Sequence, residues 1–251
     1  MSKTVLSQGK SFCAAFLAST AAVVWLCMYT VALWQIVLIA ALAVVVIFLP
    51  QKRIKTVVRL FWVISAVASF AFGVKLMSHR HAEIPEWSWW LGWGILLILL
   101  CYLGKDALYE CSVLPAILLG VALVLSFISS LASFDGVLEL QGSPFQWTTG
   151  GVVILVGSIL TGLEISPHKN AAKAGALAGV IVWSLVALIP LIMWTDKALG
   201  IIHFALPYSW QRLDLISFMG CPDVLLCAMV AVTALWQSAC GVTLLLKLKN
   251  E

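Results

Sequence analysis

Charge is what this sequence has least of. Asp, Glu, Lys and Arg together make up 10% of its 251 residues, where a water-soluble domain carries roughly 25%. That shortage excludes an ordinary soluble domain, because apolar residues fill 63% of the chain and too little polar surface remains to cover them. Motifs that carry chemistry are missing too. There is no HExxH, no GxSxG, no Walker loop and no dinucleotide fingerprint, so neither an enzyme nor a bound cofactor is expected. No CxxC pair or Cys/His cluster exists among Cys13, Cys27, Cys101, Cys111, Cys221, Cys227 and Cys240. Structural metal sites need such spacings, so these cysteines read as small apolar side chains. The four histidines (His79, His81, His168 and His203) all fall in predicted loops, and no metal is expected there. Nor is a nucleic-acid partner.

Long apolar runs are what the sequence has instead. A membrane span needs about 20 mainly apolar residues. Eight stretches qualify: 11–30, 32–49, 57–77, 88–104, 110–133, 146–165, 172–194 and 221–246. Backbone polar groups cannot go unpaired in lipid, so each stretch is read as a helix. The expected fold class is an all-α polytopic membrane protein of about eight transmembrane helices, forming a single transmembrane domain over 1–251. Lys3 and Lys10 ahead of the run from Phe12 resemble a signal peptide, but no small-x-small site closes that run, and it is read as a retained first helix.

Charge placement agrees with eight spans. With the N-terminus inside, the cytoplasmic segments hold Lys3, Lys10, Lys52, Arg53, Lys55, Arg59, Lys105, Lys169, Lys173, Lys247 and Lys249. Only Lys75, Arg80, Lys197 and Arg212 fall outside. The positive-inside rule then places both termini in the cytoplasm and the protein in the cell (inner) membrane. Trp87, Trp89, Trp90 and Trp93 mark the outer entrance of span four as an interfacial belt.

Several spans carry features beyond hydrophobicity. Ala171, Gly175 and Gly179 recur every four residues on span seven and predict a close helix-packing seam. Pro115 and Pro190 each predict a bend. Thr148, Thr149, Gly150 and Gly151 bring two hydroxyls and two glycines together in span six. Glycine pairs permit unwinding, and unwound half-helices hold substrates in transporters, so these four residues are the candidate substrate-binding set. A glycine-lined packing contact is the competing reading. Glu164 closes the same span and is either a coupling acid or a structural one. Lys105, Asp106 and Glu110 sit at a tight turn that suits a local ion pair. Gln237, with Thr233 and Ser238, lies midway along span eight as a polar helix contact first and a substrate contact second. The segment Leu199–Gly220 is too interrupted to span and suits a re-entrant or interfacial helix.

The order of these features resembles the permease-type (B) subunit of bacterial spore-germinant receptors, within the amino acid–polyamine–organocation (APC) superfamily. The resemblance covers roughly residues 56–246. It rests on HRHAEIPEW in an outer loop, a helix ending at Tyr102-Leu103-Gly104-Lys105, YECSVLPAILLG after a turn, Gly162-Leu163-Glu164 near the end of span six, and the segment Leu199–Leu226 leading into span eight. The sequence departs from the family at Glu110 and at Cys221-Pro222, where arginines are usual, and in a first helix without a glycine-rich break. The family has ten helices in two inverted repeats, so the resemblance implies an incomplete APC/LeuT-type inverted-repeat bundle. It also implies a small-molecule ligand such as an amino acid between helices one, three, six and eight, germinant sensing, and other receptor subunits as partners beside the lipid bilayer. The alternative is a non-transporting membrane scaffold or assembly subunit of a larger membrane complex.

Overall fold

A computed structural model of the chain describes residues 3–26, 33–49, 55–80, 83–121, 145–187 and 223–249. Every regular element among them is a helix. In chain order these are α1 (Lys3–Leu26), α2 (Leu33–Phe48), α3 (Lys55–Arg80), α4 (Glu86–Cys111), α5 (113–121), α6 (Phe145–Ile165), α7 (Lys169–Ala187) and α8 (Asp223–Lys249). Long apolar runs form helices because each residue then satisfies its own backbone donor and acceptor within the segment. The 19-residue stretch Val57–Lys75 and the 26-residue Glu86–Cys111 are long and apolar enough to cross a bilayer. The α4 stretch is covered by protein over only 11% of its apolar window, leaving Leu91, Ile95, Ile98, Leu99 and Leu103 exposed.

Two breaks interrupt the α4–α5 region. Gly104 has φ 81° and ψ 177°, a conformation open almost only to glycine. It ends the apolar part of α4 at the position where the span predicted over 88–104 stops. A second break falls at Ser112, whose N–H donates to the Tyr109 carbonyl, so the span expected over 110–133 does not begin as one continuous helix. Pro115 lies in the first turn of α5, where backbone N–H groups have no intrahelical partner to lose. The bend expected at Pro115 is therefore replaced by a new helix start. Pro190 and the segment Leu199–Gly220 lie outside the described residues.

Polar contacts fix which helix ends meet. At one end of the bundle Lys10 of α1 pairs with Glu110, and Lys105 donates to the Glu164 carbonyl at 3.4 Å. There too the Lys173 ammonium of α7 sits 5.3 Å from the Phe48 ring of α2. At the other end Lys75 of α3 pairs with Glu86 of α4 at 2.5 Å. The starts of α1 and α7 thus lie with the ends of α2, α4 and α6. Glycines set the closest approaches. A Cβ on Gly175 would strike the Phe12 main chain, and one on Gly179 would strike Ser19, so α1 and α7 run parallel at contact distance. Gly73 faces Ala234 while Gly241 faces Ala66 and the Trp62 carbonyl, so α3 and α8 run antiparallel.

The helix pairings come in matched sets. α1 packs on α7 as α2 packs on α6. α1 packs on α8 as α3 packs on α6, and α1 on α3 as α6 on α8. The pairs α1–α6, α2–α7 and α3–α8 also touch. Among the described helices, exchanging α1 with α6, α2 with α7 and α3 with α8 reproduces these pairings, whereas the α6–α7 contact has no α1–α2 counterpart of similar extent. Gly162 of α6 meets Ala15 and Ala18 of α1 while Ser166 donates to the Ser11 carbonyl, so α1 and α6 run antiparallel. Within this scheme α1, α3, α6 and α8 all touch one another and form the inner core.

Candidate ligand-binding core

Buried polar side chains gather on those four inner helices: Ser19 and Thr20 on α1, Ser65 and Ser69 on α3, Ser158 and Thr161 on α6, and Thr233, Gln237 and Ser238 on α8. Most are held by their own helix. Thr20 donates to the Phe16 carbonyl at 2.9 Å, Ser65 to Trp62 at 3.2 Å, Thr161 to Gly157 at 2.8 Å and Ser238 to Ala234 at 2.8 Å. Such bonds to the preceding turn keep a hydroxyl satisfied in an apolar setting.

Three buried groups are different. Both amide atoms of Gln237, the Ser158 hydroxyl and the Trp62 indole N–H have no partner among the described residues. Gln237 and Ser158 are each 0% exposed. Leaving a buried polar group unpaired costs about 1–3 kcal/mol, and an amide carries two such ends. Helix geometry shows where these groups point. On α8, Gln237 falls between Ala234 and Gly241 at three- and four-residue spacing, the face that meets Gly73 and Ala66 of α3. The exposed Val232 and Leu246 mark the opposite face. On α6, Gly157 meets Phe61 and Ser65 of α3, and Gly162 meets α1. Ser158 lies angularly between those two directions and faces the gap between α1 and α3. Gln237 and Ser158 each lie near the middle of their helices.

Thr148, Thr149, Gly150 and Gly151 are in the first two turns of α6, and the backbone is helical from Phe145 to Ile165 without interruption. The unwinding that the glycine pair permits is not taken up, since the helix continues through both glycines. The side chains of Thr148 and Thr149 lie outside the described residues. Gly151 precedes Ser158 by seven residues, two turns back on the same face. Thr233 is buried one turn from Gln237 on α8. Gly175 and Gly179 form the α7 side of the seam with α1, with Ala171 half-buried at its start.

Glu164 is not in this core. It lies about 9 Å further along α6 than Ser158, at 1.5 Å per residue. There its carboxylate accepts from Lys169 at 3.4 Å. Lys105 sits beside it, and burial holds its ammonium below the usual lysine value. Lys247 and Lys169 push it the same way, against Glu164 and Asp106. Nearby, Tyr109 donates to the Ser7 carbonyl at 2.7 Å and meets the Ser11 hydroxyl at 2.9 Å. His168 Nε2 lies 2.8 Å from Ser7 Oγ. These contacts tie α1, α4, α6 and the start of α7 into one cap.

The tryptophans of α4 divide. Trp87 and Trp90 are exposed, with Trp90 donating to Glu86 at 3.0 Å, whereas Trp93 is buried against Gly73. Among the described residues no group of three or more His, Cys, Asp or Glu side chains could hold a metal.

Sequence reasoning weighed Gln237 but missed Ser158 and Trp62. Ser158 carried a signal, since it repeats the register of Gly151 as Gly157 repeats that of Gly150. Trp62 carried none, because an indole in an apolar run reads as core. No family model, no curated protein and no solved structure matches this chain.

Proposed function

We propose that the chain is an eight-span membrane protein of permease-like, inverted-repeat architecture that binds a small molecule between α1, α3, α6 and α8. One observation carries the binding reading: Gln237 is fully buried at the centre of the bundle with neither amide atom paired. Membrane helices use buried amides as glue by bonding them to a neighbouring helix. A buried amide on the face towards α3, with no partner among the described residues, is poised for a ligand.

Four observations support the architecture. Most pairings among the described helices survive exchange of α1 with α6, α2 with α7 and α3 with α8. The polar cap collects Lys10, Lys105, Lys169 and Lys173, all assigned to the inside by the positive-inside rule. The outer ion pair joins Lys75 to Glu86. The exposed face of α4 is almost wholly apolar, as a lipid-facing helix requires. Both termini are accordingly cytoplasmic, in the cell membrane. The resemblance to germinant-receptor permease subunits makes the ligand one of amino-acid size and the partners other receptor subunits.

The rival reading is a scaffold subunit, and the uninterrupted α1 and α6 favour it, since neither offers unwound backbone to a substrate. Thermal unfolding of the purified protein in detergent, screened against amino acids, amides and nucleosides, separates the two. A ligand far above its dissociation constant stabilises by a few kcal/mol. A folded sample that responds to nothing is a scaffold.

A further inference from the structure

We propose that the Gln237–Ser158 site takes an uncharged, carboxamide-type solute in preference to a zwitterion. The inference rests on the ligand-binding reading above and narrows its substrate class.

Charge balance is the first ground. Among the described residues no Asp, Glu, Lys, Arg or His is buried; every buried polar side chain is Ser, Thr or Gln. A zwitterionic amino acid brings a carboxylate and an ammonium, and a buried charge needs a counter-charge or several hydrogen bonds. The ion pairs of this chain lie at the ends of the bundle, in the Lys10–Glu110 and Glu164–Lys169 contacts and at Lys75–Glu86.

Backbone supply is the second. Bundles that hold a zwitterion with few charged side chains do so through main-chain amides and carbonyls freed by unwound helices. Here α1 is helical throughout Lys3–Leu26 and α6 throughout Phe145–Ile165, so their central amides and carbonyls are already paired within the helix.

Donor and acceptor matching is the third. A primary amide presents a C=O acceptor and an N–H donor side by side. Another carboxamide offers the same two groups in reverse order, so one face of the ligand satisfies both unpaired atoms of Gln237 through two parallel hydrogen bonds. The other unpaired groups, the Ser158 hydroxyl and the Trp62 N–H, lie on α6 and α3, both of which pack against α8.

The test uses the whole protein in detergent, with acetamide and propionamide as uncharged probes and alanine and glycine as zwitterions. The expected result is a melting temperature that rises with amide concentration in the wild type. That rise is lost in Gln237→Leu and reduced in Ser158→Ala, and it is absent with alanine or glycine. A Gln237-dependent rise with alanine, and none with the amides, overturns the uncharged class and leaves the ligand-binding reading standing. No response to either class, together with a higher melting temperature of unliganded Gln237→Leu, overturns both. Should Gln237→Leu fail to fold, Gln237→Met and Ser158→Ala carry the same comparison.

Discussion

The sharpest packing prediction concerns Gly175. A Cβ there would lie 2.9 Å from Phe12 Cα and 2.8 Å from its carbonyl carbon, with the oxygen closer still. Real Cβ contacts essentially never fall below 3.0 Å, and the obstacle is main chain, which cannot swing aside as a side chain can. α1 would have to move as a body, opening the contacts of Gly179 with Ser19 and Phe16 as well. Overpacking of this kind costs about 1–3 kcal/mol. Against it stands the helix propensity of alanine, which favours Gly→Ala in a helix interior by about 0.8–1.0 kcal/mol. Gly92 isolates the second effect, since nothing lies within 4 Å of its Cβ position. Gly92→Ala should therefore stabilise by about 0.5–1 kcal/mol, and Gly175→Ala should fall short of it by about 1–3 kcal/mol. At roughly 2–4 °C per kcal/mol for a chain of this size, the two variants should melt several degrees apart, followed by tryptophan fluorescence in detergent. Equal melting temperatures would refute the α1–α7 seam.

Three further outcomes follow from the polar cap and the α4 break. Gly104→Ala should destabilise by about 1–3 kcal/mol although its Cβ meets open space, because the cost is backbone strain at positive φ; a neutral result in chemical unfolding would contradict the break. Tyr109→Phe leaves the Ser7 carbonyl and the Ser11 hydroxyl without their phenol partner. It should cost about 1–3 kcal/mol, while a loss under 0.5 kcal/mol in the same assay would mean the cap is hydrated instead. Lys105→Met should be more stable than the wild type at neutral pH. The folded state depresses the lysine's pKa below its ordinary 10.5, so the unfolded chain binds more protons and wild-type stability from this group rises with pH. The gap between variant and wild type should therefore close as pH approaches 10.5, as measured by melting temperature across the alkaline range, and a gap that widens would reverse the argument.

Much of the helix pattern was readable from hydrophobic runs alone. The limits of α2, α6 and α8 fall within about three residues of the predicted spans, because a long apolar run leaves the backbone no other way to pair. The α4 end was readable as well, since Gly104 follows the last apolar turn. What the sequence concealed was the state of special residues inside helices. Gly150 and Gly151 permitted unwinding, with a packing contact as the competing reading, and α6 runs through them: a glycine pair lowers helix propensity by about 2 kcal/mol in all, less than apolar packing against α1 and α3 can restore. Pro115 read as a bend because the Ser112 break just ahead of it leaves no trace in composition. Ser158 and Trp62 were hidden for a third reason. Whether a buried donor finds a partner depends on the facing helix, and local sequence does not encode the facing helix.

The continuity of α1 and α6 links these points to function. The proposed inverted-repeat reading is one in which a substrate sits where the two repeats meet. In such bundles the recognition groups are main-chain atoms exposed where helices break. Here the non-helical residue among those described is Gly104, outside α1 and α6, and Leu108, four residues on, accepts from Trp236 beside Gln237 at 2.8 Å. On the proposed reading α1 and α6 offer a ligand side chains alone, and the unpaired groups of the described inner helices are an amide, an indole N–H and a hydroxyl. That shifts the layout from one suited to ionised solutes towards one suited to neutral hydrogen-bonding solutes. Restoring a break would test the connection directly. A proline in place of Ile154, one turn before Ser158, should free the Gly150 carbonyl of α6. If backbone exposure is what zwitterion binding lacks here, a folded Ile154→Pro variant should gain a thermal response to alanine that the wild type does not show. The same variant folding without that response would separate continuity of α6 from ligand class.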